Sequence, residues 1–209
     1  MIGVGEKFPA FDLQGVNQLN EFVKVSVSEN YQPTKYDYTV VYFYPKDFTF
    51  ICPTEISGMD CLVEEANVIG ISGDNEFCKL AWKQDNNLIG NIQHSLAADC
   101  GLGLSSALGI VNEEEGVCYR ATYIIDKNNI VQHVSVNTLD TGRNAMLKNV
   151  WRRLVDTPHT LRSGECDTLI ILPDVCEKIG QAACRRVRYQ IVTVRSAPTI
   201  YANCHELTQ

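Results

Sequence analysis

No stretch of this chain is apolar for the roughly 20 consecutive residues that a bilayer crossing takes. Basic residues are in deficit: 18 Lys and Arg stand against 25 Asp and Glu, a net charge of −7. That balance argues against a nucleic-acid surface, and the one basic cluster is Arg185, Arg186 and Arg188. Nine cysteines are present without a CxxC pair, and the four histidines (His94, His133, His159, His205) stand apart. Zinc needs clustered Cys and His ligands, so no metal site is expected. The segment CGLGLSS, residues 100–106, lacks the third glycine of dinucleotide-binding spacing and reads as a loop. The opening residues, MIGVGEKFPAF, have neither the basic start nor the apolar core of a secretory signal. Reduced thiols and a cytoplasmic location are therefore expected.

What is present suits a globular fold. The 209 residues are 45% apolar and 21% charged, enough for one domain with a full core or one domain plus an appendage. Val40, Val41, Tyr42, Phe43 and Tyr44 read as a buried strand, and Asn67–Ser72 as a second. Asp74 is expected to cap a helix to about residue 84 whose inward stripe is Phe77, Leu80 and Ala81. Trp82 lies off that stripe; core packing is favoured over a contact between copies of the chain. Residues 94–98 read as a short strand, and residues 119–125 and 130–137 as two strands around a turn at residues 126–129. From Gly142 the pattern turns helical, with Leu147, Val150, Trp151 and Leu154 on one face. Strand, helix, strand, hairpin and helix in this order predict an α/β fold of thioredoxin-like type, a central mixed sheet with helices on both faces.

Residues 44–54, YPKDFTFICPT, carry the chemistry. Pro45 ends the strand, and Pro53 fits the first turn of a helix, where its missing N–H costs nothing. Cys52 then stands at a helix N-terminus among unpaired backbone donors, which favours the nucleophilic thiolate. A reachable thiol is expected there. Thr49, one turn earlier, offers a hydroxyl to the thiolate or to a bound oxygen.

The spacing Pro45-xxx-Thr49-xx-Cys52, continued by Pro-Thr-Glu-Ile, resembles the active-site signature of the peroxiredoxins. FTFICPTE is similar to the typical two-cysteine group, which includes bacterial alkyl hydroperoxide reductase C. The segments MIGVGEKFPAFDL, VIGISGDNEFCKLAW, YRATYIIDKNNIVQHVSV and TGRN are similar to further family motifs, as far as about Arg143. The resemblance implies a thiol-dependent peroxidase of the peroxiredoxin-type fold. Cys52 would attack the peroxide, Arg120 and Thr49 would bind it, Pro45 would shield the thiol, and Glu55 and Arg143 would position Arg120. No cofactor is implied. The implied partners are peroxide and, as electron donor, thioredoxin or a dedicated disulfide reductase. A homodimer is implied, with a decameric ring as its further assembly.

A two-cysteine cycle needs a resolving thiol. Cys166, in Ser163-Gly164-Glu165-Cys166 and 114 residues beyond Cys52, is the closest echo of the family's segment, although the usual trailing proline is absent. Cys176, Cys184 and Cys204 are weaker candidates, and Cys61, Cys78, Cys100 and Cys118 are expected to be packing residues. The chain is read as a domain over residues 1–160 and a C-terminal segment over 161–209. Residues 167–209 resemble no family tail, though residues 187–194 alternate like a strand. Residues 57–67 are about five shorter than the family pattern, more than one helical turn, so the helix starting at Cys52 is expected to end early. These departures leave alternatives: a holdase chaperone or redox scaffold with low turnover, or a one-cysteine peroxidase resolved by an external thiol.

Overall fold

Val40, Val41, Tyr42 and Phe43 are all fully buried because β3 (Tyr38–Phe43) has helices over both of its faces. The computed structural model describes residues 1–28 and 35–143. Two further buried strands, β4 (Asn67–Ser72) and β5 (Ser95–Ala98), run parallel to β3 in the order β5-β4-β3. Antiparallel hairpins extend both edges. β1 (Phe11–Val16) and β2 (Phe22–Val27) add beside β5, and β8 (Arg120–Asp126) and β9 (Val131–Asn137) add beside β3. The seven-stranded sheet reads β2-β1-β5-β4-β3-β8-β9. Between β5 and β8 lies a two-residue ladder of β6 (Val111–Asn112) and β7 (Val117–Cys118).

Alternation along β3 divides the core. Val40 and Tyr42 face one cluster, which holds Ile56 and Met59 of α1 (Cys52–Met59) and Trp82 of α2 (Glu76–Asp85). Val41 and Phe43 face the other, which holds Leu104 and Leu108 of α3 (Gly103–Leu108). This is the mixed sheet with helices on both faces that the element order predicts.

α2 differs from its sequence reading in two ways. The cap is Asn75, whose side chain accepts from the Cys78 N–H at 2.8 Å, while Asp74 instead accepts from the Asp47 N–H at 2.8 Å. Its buried residues are Lys79, Trp82 and Lys83, and Phe77 is 64% exposed. The stripe of Phe77, Leu80 and Ala81 is wrong because the lysines are the inward residues. Lys79 Nζ reaches Ser72 Oγ at 2.6 Å, Tyr44 Oη at 3.2 Å and Asp47 Oδ1 at 3.4 Å, and Lys83 Nζ reaches the Asn17 carbonyl at 2.7 Å. Their stems bury apolar length while the amines stay paired. Trp82 is a core residue, 2% exposed.

CGLGLSS is not simply a loop, because α3 begins within it. Leu102 takes a left-handed conformation, with φ of 57°, and turns the chain into the helix. The Asp99 carboxylate then accepts from the Leu104 and Ser105 N–H groups at 3.0 and 2.8 Å. The expected α1 is short, ending at Met59 and followed by a 3₁₀ turn over Asp60–Leu62. The helix expected from Gly142 and the strand at residues 187–194 lie outside the described residues.

Candidate active site

β3 delivers the chain to the site. The Tyr44 N–H prolongs the β3–β4 pairing with a bond to the Ile71 carbonyl at 2.9 Å, and Pro45, lacking an N–H, closes it. The loop that follows is anchored from beneath by Asp47, which is 7% exposed and bound to Lys79, Ser72 and Asp74. Cys52 is the first residue of α1, with Pro53 beside it. Pro53 has no N–H, and the Thr54 and Glu55 N–H groups donate to the Ile51 carbonyl at 3.1 and 3.3 Å, so the expectation of several unpaired donors is corrected: the helix start acts on the sulfur through the positive end of its dipole.

Three charged side chains form a cluster beside that sulfur, the two arginines coming from distant parts of the sequence. Arg120, at the start of β8, donates from Nη1 to Cys52 Sγ at 3.3 Å and to Glu55 Oε2 at 2.5 Å. Its Nε donates to the Leu139 carbonyl at 2.9 Å, which fixes the plane of the guanidinium. Glu55 lies one turn beyond Cys52 on α1 and is 6% exposed. Its other oxygen accepts from the backbone N–H and the Nε of Arg143 at 2.7 and 3.1 Å. Arg143 also donates to the Ala121 carbonyl at 3.1 Å, the Thr122 hydroxyl at 3.3 Å and the Phe43 carbonyl. Burial works against the Arg120 charge, but the hydrogen bond to Cys52 and the charge of Glu55 outweigh it and hold its pKa above the ordinary value.

The comparisons with known proteins agree in one direction. The model of the AhpC/TSA family matches residues 4–134. The chain belongs to this family. It is 34% identical over 159 residues to alkyl hydroperoxide reductase C of Mycolicibacterium smegmatis, covering 69% of this chain and 80% of that one. It is 36% identical over 148 residues to a chloroplastic 2-Cys peroxiredoxin of Spinacia oleracea, covering 67% of this chain and 54% of that one. Among solved structures, Enterococcus faecalis AhpC superposes with a TM-score of 0.69 at 26% identity, covering 81% of this chain and all of that one (100%). The fold is thus the thioredoxin-like fold of the peroxiredoxin type.

In this AhpC/TSA chain the positions read from sequence are not all alike in their surroundings. Cys52, Glu55, Arg120 and Arg143 form one hydrogen-bonded cluster. Thr49 is half-buried, and its hydroxyl donates to the Lys46 carbonyl at 3.1 Å, within its own loop. Pro45 is buried and lines a cavity of about 300 Å³ together with Lys46, Gly73, Asp74, Leu102 and Val117. Cys52 itself is 1% exposed, so the expectation of a reachable thiol is corrected: the sulfur is covered in this conformation.

The remaining cysteines divide. Cys118 is a packing residue as expected; its thiol donates to the Tyr44 carbonyl at 3.1 Å, and burial pushes its pKa up to about 12. Cys61 and Cys100 are exposed and Cys78 is half-buried, so the packing expectation fails for the first two. Cys61 stands in the 3₁₀ turn after α1, and Cys100 in the turn that leads into α3. Cys166, Cys176, Cys184 and Cys204 lie outside the described residues. Sequence reading also missed the partners behind Arg143. Tyr42 lies in a fully buried run, and a buried tyrosine hydroxyl demands a partner; that demand was the available signal, and His94 meets it at 2.7 Å.

Proposed function

We propose that the protein is a thiol-dependent peroxidase that reduces hydrogen peroxide and alkyl hydroperoxides at Cys52. The observation that carries the proposal is the 3.3 Å hydrogen bond from Arg120 to Cys52 Sγ within a buried cluster of two arginines and one glutamate. That cluster carries one surplus positive charge, and a Cys52 thiolate balances it. Attack of the thiolate on one peroxide oxygen forms an S–O bond and breaks the O–O bond, leaving Cys52 sulfenic acid and an alkoxide or hydroxide that takes a proton to become alcohol or water. Arg120 donates to the oxygens as charge moves onto the leaving one, which is where a fixed donor lowers a barrier most. Thr49 supplies a further donor to the peroxide once its hydroxyl leaves Lys46. Glu55 and Arg143 keep Arg120 in place, and Pro45 helps keep water from the loop.

In the second half of the cycle, Cys166 of a second copy attacks the sulfenic sulfur, releases water and forms an intersubunit disulfide. Thioredoxin or a dedicated disulfide reductase returns both thiols. In the proposed division into residues 1–160 and 161–209, this step falls to the C-terminal segment. Self-association is supported by the exposed aromatic residues Phe22, Phe48, Phe50 and Phe77, of which Phe22 and Phe77 pair with ring centroids 5.0 Å apart. A homodimer that builds into a decameric ring is the assembly proposed, and the cytoplasm is the proposed location. No helix among the described residues is long and apolar enough to cross a membrane.

Peroxide consumption with a thiol reductant tests the reading. The wild type is expected to consume hydrogen peroxide, and Cys52→Ser to lose that activity; equal consumption by both would end the proposal. Non-reducing electrophoresis after peroxide is expected to show a linked dimer that Cys166→Ser abolishes.

A further inference from the structure

Behind Arg143 the contacts continue to a place that the reaction itself does not need. The Arg143 guanidinium lies over the Tyr42 ring, 5.2 Å from its centroid, within the roughly 6 Å at which a cation is drawn to an aromatic face. Tyr42 is fully buried, and its hydroxyl lies 2.7 Å from His94 Nε2. His94 is 4% exposed, and its Nδ1 lies 2.8 Å from Asp60 Oδ1. With Asp60 ionised, the imidazole proton belongs on Nδ1, which leaves Nε2 to accept from the tyrosine. Burial opposes the Asp60 charge, but hydrogen bonds from His94 and from the Gln93 N–H outweigh it and hold the carboxyl below its ordinary pKa.

Space has been made for this ring. A Cβ at Gly70, on the neighbouring strand β4, would come within 2.4 Å of the Tyr42 hydroxyl oxygen and 2.8 Å of a Leu96 methyl. The ring is therefore held by a hydrogen bond at its tip, a guanidinium on its face and a missing side chain beside it. Asp60 is the C-cap of α1, the helix that Cys52 begins. The path Cys52, Arg120, Glu55, Arg143, Tyr42, His94, Asp60 thus runs from one end of α1 to the other along the sheet face that α1 covers.

We propose that Tyr42 and His94 are positioning residues of the peroxide site, seating the Arg143 guanidinium so that Glu55 holds Arg120 on Cys52. The proposal rests on the reading of Cys52 as the peroxide-reactive thiol. An arginine is a long side chain, and each fixed face or partner removes rotamers that would let Glu55 drift. Arg143 has polar partners around its rim, and the tyrosine ring supplies the face. His94 matters because it stops that ring from swinging.

The test compares two reactions of one thiol in the full chain. Cys52 oxidation by hydrogen peroxide needs the Arg120 fork; alkylation by iodoacetamide needs the thiolate and an opening of the covered sulfur, but no fork. Both reactions need that opening, so the ratio of the two second-order rate constants cancels changes in access that the two reagents share. His94→Leu is expected to lower that ratio about 10-fold, equivalent to about 1.4 kcal/mol of barrier. His94→Gln, whose amide can donate to Asp60 and accept from Tyr42, is expected to stay within about 2-fold of wild type. Tyr42→Phe keeps the ring and its volume, so it is expected to fold, and to lower the ratio about 3-fold by freeing the ring tip. Thermal unfolding of each variant shows which are folded at the assay temperature. Should His94→Leu not fold, Tyr42→Phe and His94→Gln decide. Ratios unchanged in the folded members of His94→Leu and Tyr42→Phe would overturn the proposal. A wild type whose Cys52 reacts with peroxide no faster than free cysteine would sink the Cys52 reading and this one together, and that result shows before any variant is made.

Discussion

The backbone N–H and the side-chain Nε of Arg143 both donate to one oxygen of Glu55, at 2.7 and 3.1 Å. The other oxygen accepts from Arg120 at 2.5 Å. One carboxylate, 2% exposed at its side chain, therefore holds two arginines, and removing its charge leaves both to share the Cys52 sulfur as their one remaining anionic partner in the cluster. Glu55→Gln is expected to destabilise the fold by about 3 kcal/mol, because a broken buried pair leaves an uncompensated charge. The rate of Cys52 oxidation is expected to fall along with it. Urea unfolding and rapid-mixing kinetics on the same preparation check both halves.

Lys83 has the opposite character. Burial lowers its pKa from the ordinary 10.5 to about 8, with the Asp60 charge only partly offsetting the cost. Between those values the unfolded chain holds a proton that the folded chain lacks, so this group makes stability rise with pH from about 8 to 10.5. Below pH 8 the cost of burying the charge is fully present. Lys83→Met removes that cost and leaves the Asn17 carbonyl with its bond from the Asn20 N–H at 3.1 Å. The variant is expected to be more stable than wild type at pH 7 by up to about 3 kcal/mol, with the gap narrowing to about 1 kcal/mol by pH 10. Urea unfolding at the two pH values measures the gap; a gap that widens with pH would contradict the account.

The cysteines give a third outcome. Exposed Cys61 and Cys100 are expected to take up iodoacetamide readily in the native protein at pH 8. Cys118, at about 12, is expected to stay unmodified until the protein unfolds, since about 1 in 10⁴ such thiols is ionised at that pH. Peptide mass spectrometry of native and urea-treated samples distinguishes them.

Much of the fold is legible in the sequence because several strands are unbroken runs of β-branched and aromatic residues. β4 begins and ends where its pattern does, at Asn67 and Ser72, and the β8–β9 hairpin follows from the polar turn between two apolar runs. The first hairpin is not legible. β1 mixes buried Phe11, Gly15 and Val16 with exposed Asp12 and Gln14, and no pattern that short separates an edge strand from a loop. The inward face of α2 is misread because hydrophobic periodicity counts lysine as outward, whereas Lys79 and Lys83 bury their stems and pair their amines.

The candidate site is legible in part from physics and in part from resemblance. The placement of Cys52 at the start of a helix follows from its neighbours Pro45 and Pro53. Nothing in spacing alone brings Arg120 to it across 68 residues of chain, nor Arg143 to Glu55 across 88. For the Tyr42–His94 pair, 52 residues apart, sequence shows only that a buried tyrosine hydroxyl calls for a partner; nothing in it says that the isolated His94 supplies one.

The most direct test of the account is the reaction of Cys52 with hydrogen peroxide, followed by rapid mixing and by mass spectrometry of the trapped sulfenic acid. The account predicts oxidation confined first to Cys52, faster than that of free cysteine by orders of magnitude, and lost with Arg120→Ala. Oxidation of Cys52 at the rate of free cysteine, or first at exposed Cys61 or Cys100, would contradict it.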